Sequence, residues 1–203
     1  MYVFQNDSSF EVVALTVEAA YRPVDDHNHC QLPVVCFEEV EEIYPPSEYL
    51  MFIAVGNNWL RQRLFEESRK KGFQFASYLS SKALHWDDLV HGDHVFIGDA
   101  SIIQPFVEIG QNTTIICSRV GHHAKIGENV LLSGCTLGGN ADIGCNSFVG
   151  MNAAIKQGVK VGKSNIIGMG CSIMHDTNED EVYSSSSSRK RKISSQRIKD
   201  RYL

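Results

Sequence analysis

The sequence predicts a mainly β fold: a left-handed parallel β-helix built from hexapeptide repeats, preceded by a small, truncated Rossmann-like α/β domain. Three observations carry this. Aliphatic residues recur every six positions between residues 96 and 174. Glycine often follows them. The segment before residue 85 alternates apolar runs with helix-like stretches instead. A fixed six-residue period is the mark of a β-helical solenoid, and a strand–helix alternation that of a small parallel sheet.

The N-terminal segment, residues 1–84, reads in order as follows. Residues 10–17 form a buried strand and residues 32–35 a second. Residues 37–43 are acidic and helix-like. Residues 49–56 are an apolar run ending in Gly56-Asn57-Asn58. Residues 59–71 form an amphipathic helix closed by Gly72, and residues 73–79 a last strand. Ligands of open α/β sheets bind beyond the carboxyl ends of the strands. That places Glu18, Gly56, Asn57 and Asn58 as candidate substrate contacts. Equally, the Gly-Asn-Asn run reads as a turn with an Asn cap before the helix.

In the β-helix, residues 85–176, two runs keep strict register. Ile97, Ile103, Ile109 and Ile115 form the first. Leu137, Ile143, Val149, Ile155, Val161, Ile167 and Ile173 form the second. Each unit supplies a short strand and a corner, with the aliphatic side chain inward and glycine granting the corner its dihedral angles. A small residue recurs four places on, as at Ser101, Ala141, Ser147, Ala153 and Cys171. An α-helix cannot keep a six-residue spacing on one face. The intervals from Ile115 to Ile126 and from Ile126 to Leu137 are eleven residues rather than twelve. His122 and His123 lie between these slips, and a local break in a strict pattern points to function. His27, His29, His85, His91 and His94 read as surface or loop residues.

Residues 177–203 are a Ser-rich linker and basic tail. Five serines, Ser184 to Ser188, precede Arg189-Lys190-Arg191-Lys192. The tail reads as a solvated linker followed by a short helix over residues 195–203, and alternatively as a polyanion-binding stretch. It carries seven Lys/Arg and one Asp, so the net charge of −5 hides a body, residues 1–183, at −11. An acidic body argues against nucleic-acid binding. No apolar run of about 18 residues is present and no leader pattern opens the chain, so neither membrane nor export is expected. Scattered cysteines without CxxC pairs, among them Cys117, Cys135, Cys145 and Cys171, read as reduced packing residues of a cytoplasmic protein.

Taken together, Val120-Gly121-His122-His123, Gly139, residues 148–153 and Ile167-Gly168-Met169-Gly170 give the chain its resemblance. It resembles the hexapeptide acyltransferases of the sialic-acid O-acetyltransferase type, which include bacterial N-acetyltransferases of nucleotide-linked amino sugars. The resemblance implies a homotrimer with sites between adjacent β-helices. It implies acetyl-CoA or another acyl-CoA as co-substrate, an amine or hydroxyl of a nucleotide-linked or free sugar as acceptor, and no metal. His122 occupies the general-base position and His123 the orienting position, where many relatives carry an acid. Gly139 matches a glycine whose amide faces the thioester carbonyl. Gly150, Asn152, Ala153, Gly168 and Gly170 match the pantetheine groove. Relatives usually begin with a strand and Gly-rich turn, and this chain begins beyond that element. Relatives also tend to carry a second His after the base, and residues 128–135 have none. Two other readings stand beside this one: a non-catalytic trimeric scaffold or nucleotide-sugar binder, and a γ-class carbonic anhydrase. The latter needs three spaced histidines, and the position five after His122 is Gly127.

Overall fold

The computed structural model describes residues 1–22, 32–190 and 192. The helix expected over residues 195–203 lies outside them, as do His27 and His29. The described part is a left-handed parallel β-helix with a smaller α/β segment packed on one side.

The β-helix has three faces. The first is seven-stranded, from Tyr78–Leu79 at the base to Val182–Tyr183 at the top. The second runs in five strands from Ile102–Ile103 to Ser172–Ile173, and the third in five from Val90–His91 to Lys160–Val161. All pairings are parallel. Ile97, Ile103, Ile109, Ile115, Leu137, Ile143, Val149, Ile155, Val161, Ile167 and Ile173 stack inside, with Val120, Ile126 and Leu132 completing the column. The predicted small residues Ser101, Ala141, Ser147, Ala153 and Cys171 are buried too. The helix extends beyond the expected 85–176. Tyr78 pairs with Phe96 and Val182 with Ile166, because both flanking segments keep the inward alternation.

Two expectations about the coil need correcting. The glycines after the aliphatic residues do not supply the left-handed dihedrals. Those fall two residues later, at Ala100, Asn112, His123 and Asn152, in three corner columns. The glycines instead let coils approach: a Cβ on Gly144 would lie 2.5 Å from the Lys163 nitrogen, and on Gly121 2.5 Å from the Gly139 nitrogen. The histidines do lie between the two register slips, which themselves fall at another corner. Ile115 is followed inward by Val120, and Leu132 by Leu137, so each slip is a shortened corner between first and second faces. There Cys117 and Gly134 take the left-handed region and stack, Gly134 N–H donating to the Ile116 carbonyl at 2.8 Å. Finally, Cys117 is exposed, whereas Cys135 and Cys171 are buried as expected.

The N-terminal segment holds helices α1 (Tyr2–Asp7), α2 (Val40–Ile43) and α3 (Asn58–Lys70). Its strands form two separate parallel pairs, Leu15–Val17 with Val34–Cys36 and Leu50–Met51 with Gln74–Phe75, rather than the one sheet that the Rossmann-like reading expects. The apolar run leaves the strand after Met51 because its next residues turn to the β-helix. Phe52 packs on Phe4, Phe96 and His94, and Ile53 N–H donates to His94 Nε2 at 2.8 Å.

His94 is therefore no surface residue. It is 2 % exposed, ringed by Phe52, Phe65 and Phe75. Its Nδ1–H donates to Asn112 Oδ1, whose amide donates to Asn129 Oδ1, whose amide donates in turn to Asn146 Oδ1. This ladder runs up the corner between third and first faces. Arg61 of α3 enters the same seam, 1 % exposed, donating to the carbonyls of Asn112, Val55, Gly56, Asn129 and Val130.

Burial pushes His94 down to about 4, from an ordinary value of 6.5. Between those values the unfolded chain binds a proton that the folded one refuses. Stability from this site is complete above about pH 6.5 and falls as pH drops towards 4, by about 3 kcal/mol in all. Urea midpoints at pH 7 and pH 4.5 check this: a His94→Gln variant should lose less stability across that interval than the parent chain.

Candidate active site

His122 and His123 sit at the corner between the second and third faces, not on a strand. That corner lies between Arg119–Val120 and Lys125–Ile126. His123 takes the left-handed region there, φ 57°. Histidine is among the residue types that tolerate this conformation. The turn swings the two rings together, with Nδ1 of His122 3.1 Å from Nδ1 of His123 and the ring planes at 88°. The adjacent histidines thus bond to each other instead of pointing to opposite sides. Such a contact needs one proton between two nitrogens. If His122 Nδ1 donates it, His122 Nε2 is left with a lone pair.

The surroundings hold this arrangement. Gln104, one coil below, accepts the His122 N–H through its side-chain Oε1 at 3.1 Å, and the His122 carbonyl accepts from the Asn140 N–H at 2.8 Å. His123 N–H donates to the Pro105 carbonyl, and its ring packs 4.7 Å from that of Phe106, which is 68 % exposed. Sequence reasoning missed Gln104. Its signal is its place one coil before His122, on the same corner.

Gly139 is the next step of this column. A Cβ there would stand 2.6 Å from His122 Nε2, so the tip of the imidazole occupies the space that a side chain would fill. Among the described residues, the Gly139 N–H has no hydrogen-bond acceptor, whereas its carbonyl accepts from Gly158. A basic ring nitrogen, on the exposed His122, and a free backbone donor, on the buried Gly139, thus meet at one corner.

Gly150, Asn152, Gly168 and Gly170 form a different column, at the corner between first and second faces. Gly170 N–H donates to the Met151 carbonyl, and Asn152 N–H to that of Gly134. Gly150 is buried against the next coil, 3.1 Å from a Cβ to the Met169 nitrogen, so a larger residue there would disturb the stacking itself. Ala153 is 1 % exposed, its side chain in the core, and its N–H and carbonyl are engaged by Gly150 and Thr136. It has nothing to offer a ligand outside. Asn152, Gly170 and the side chains of Met151 and Met169 are exposed. The second face separates this column from His122 by about five extended residues, roughly 15 Å.

The N-terminal candidates are dispersed. Asn57 caps α3, accepting the Leu60 N–H at 3.0 Å, and Asn58 donates to the Ser147 carbonyl at 3.0 Å. Gly56 gives its carbonyl to Arg61. The turn-and-cap reading accounts for all three. Glu18 pairs with Arg63 at 2.9 Å, which holds its carboxyl below the usual range, and lines an open recess of about 390 Å³ with Phe37, Glu38, Lys70 and Lys71. Among the described residues, no three His, Cys, Asp or Glu side chains converge as a metal site would require, and no helix is long and apolar enough to cross a membrane.

No protein-family model matches the chain. It is 35% identical over 126 residues to a GDP-perosamine N-acetyltransferase of Escherichia coli O157:H7, an alignment covering 58% of this chain. The chain spans about half the length of that relative, 54%. Among solved structures it resembles WeeI from Acinetobacter baumannii AYE, with a TM-score of 0.74 and 22% identity over 89% of this chain and 86% of that one. It also resembles the acetyltransferase domain of PglB from Neisseria gonorrhoeae FA1090 in complex with acetyl coenzyme A, with TM-score 0.70 and 23% identity over 84% and 80%. A third is a mutant perosamine N-acetyltransferase from Caulobacter crescentus in complex with CoA and GDP-perosamine, with TM-score 0.69 and 24% identity over 74% and 73%. At these identities the likeness establishes the fold.

Proposed function

We propose that this chain, which has the fold of the hexapeptide-repeat sugar acetyltransferases, moves an acetyl group from acetyl-CoA to the amine of a nucleotide-linked sugar. The observation that carries the reading is the meeting of His122 Nε2 with the free amide of Gly139. The relative from E. coli, named for GDP-perosamine, supports the nucleotide amino sugar as acceptor class.

The chemistry needs few groups. The acceptor nitrogen attacks the thioester carbonyl and loses its proton to His122 Nε2, while the Nδ1–H bonded to His123 fixes the tautomer. The Gly139 N–H faces the oxyanion that develops. Collapse breaks the C–S bond, and the imidazolium returns the proton to the departing thiolate. His123 does with a neutral nitrogen what a carboxylate would do with a charge. It orients His122 without offsetting the imidazolium's positive charge. Asn152, Gly168 and Gly170 line the donor groove in this reading. That groove lies a face away from His122 in one chain, which supports a homotrimer whose sites form between neighbouring β-helices.

Gly139→Ala tests the arrangement. The new methyl displaces only the tip of the His122 ring, so melting temperature should hold within a few degrees while kcat falls tenfold or more. Unchanged turnover in a Gly139→Ala protein of normal stability would remove this corner from the chemistry. The scaffold reading predicts that the parent chain binds nucleotide sugar without releasing CoA thiol.

A further inference from the structure

The residues that cap the β-helix continue the donor column. Gly168 N–H donates to the Tyr183 carbonyl at 2.8 Å, and Ser185 Oγ donates to the Met169 carbonyl at 2.6 Å. A Cβ on Gly170 would meet Ser185 Oγ at 3.3 Å. Gly134, Asn152, Gly170 and Ser185 are thus successive steps of one corner. Beside them Met151 and Met169 expose their side chains, 55 % and 61 %. An apolar strip therefore climbs this corner and ends where the tail departs.

From Ser185 the chain needs only four residues to reach Arg189, at most about 14 Å. Arg189 and Lys190 are exposed and open the run Arg189-Lys190-Arg191-Lys192. The body of the chain carries −11 and this tail the opposite sign. Against that acidic body the run offers a polyanion a local concentration of positive charge.

Resting on the acyl-CoA reading above, we propose that Arg189, Lys190 and Lys192 clamp the phosphate end of the donor. An acyl-CoA is apolar and narrow along its pantetheine arm and highly anionic at its diphosphate and ribose phosphate. The corner presents the same order: exposed methionines beside glycines, then cations. Arginine supplies paired donors that fit phosphate oxygens, and lysine a mobile point charge. The serines between Ser185 and Arg189 add length without bulk.

The test replaces Arg189, Lys190 and Lys192 together by Gln in the full chain. Binding of acetyl-CoA and of S-acetyl-pantetheine, which lacks the phosphates, is measured calorimetrically at low and high salt. The clamp predicts that the variant binds acetyl-CoA about tenfold more weakly at low salt, with a flatter salt dependence, and binds S-acetyl-pantetheine as the parent does. An acetyl-CoA affinity and salt dependence equal to the parent's would overturn it. So would a loss confined to GDP-linked sugar, which would move the run to the acceptor. A parent chain that binds neither donor would sink the acyl-CoA reading itself, and the clamp with it.

Discussion

Alanine at His122 is expected to lower kcat by about 10²–10⁴-fold, the range for loss of a positioned general base, with acetyl-CoA affinity changed only a few-fold. The ring touches its own corner and no core residue, so the fold should be untouched. His123→Ala should cost less, because it acts through its neighbour's Nδ1 at 3.1 Å. His123→Glu should retain most activity, since a carboxylate oxygen accepts the same proton. Steady-state release of CoA thiol, followed across pH for the three variants, reads these effects. Full turnover by His122→Ala at all pH values would leave substrate-assisted attack as the alternative.

Arg61→Ala should be the most damaging change to the fold, at about 3–5 kcal/mol. It opens a cavity and strips donors from several buried carbonyls at once. Burial draws this guanidinium down to about 10, so it stays charged at neutral pH. Among the described residues it has no carboxylate partner, and backbone carbonyls together with the Asn58 side-chain oxygen hold it. Arg61→Lys should not rescue, because one ammonium cannot reach acceptors spread over the Asn58 side chain, the loop before α3 and two coils. Urea unfolding with limited proteolysis should show the N-terminal segment cut first and the β-helix persisting. An Arg61→Ala protein as stable as the parent would mean that α3 is held some other way.

The β-helix was legible because its period is local. Each inward aliphatic residue is six places from the last, and a slip of one shows at once as an interval of eleven. What produced the slip was not legible. The sequence places His122 between the short intervals, but the missing residues come from another corner, where Cys117 and Gly134 stack. The same holds for the glycines. Composition records their frequency, but only the packed coils reveal that Gly144 makes room for Lys163 rather than for its own turn.

The seam around His94 and Arg61 was hidden for a different reason. Its partners are main-chain carbonyls and an aromatic cage assembled from distant segments, which leave no spaced motif. One signal was available: Asn112, Asn129 and Asn146 recur seventeen residues apart, and asparagine tolerates the left-handed conformation that each corner demands. Gly139 was readable as a candidate from the resemblance alone, and His122 and His123 also from their place between the register slips. Their contact is a finding of the structure, because it depends on coils of seventeen residues bringing position 139 over position 122.

The central claim is acetyl transfer to a nucleotide-linked amino sugar at the His122 corner. Mass spectrometry of the full chain incubated with acetyl-CoA and GDP-perosamine, alongside a panel of other nucleotide-linked amino sugars, tests it most directly. The account predicts an N-acetylated nucleotide sugar formed in step with free CoA, and its disappearance in His122→Ala. No acetylated product from any member of the panel, with a parent chain that is folded and binds acetyl-CoA, would contradict it.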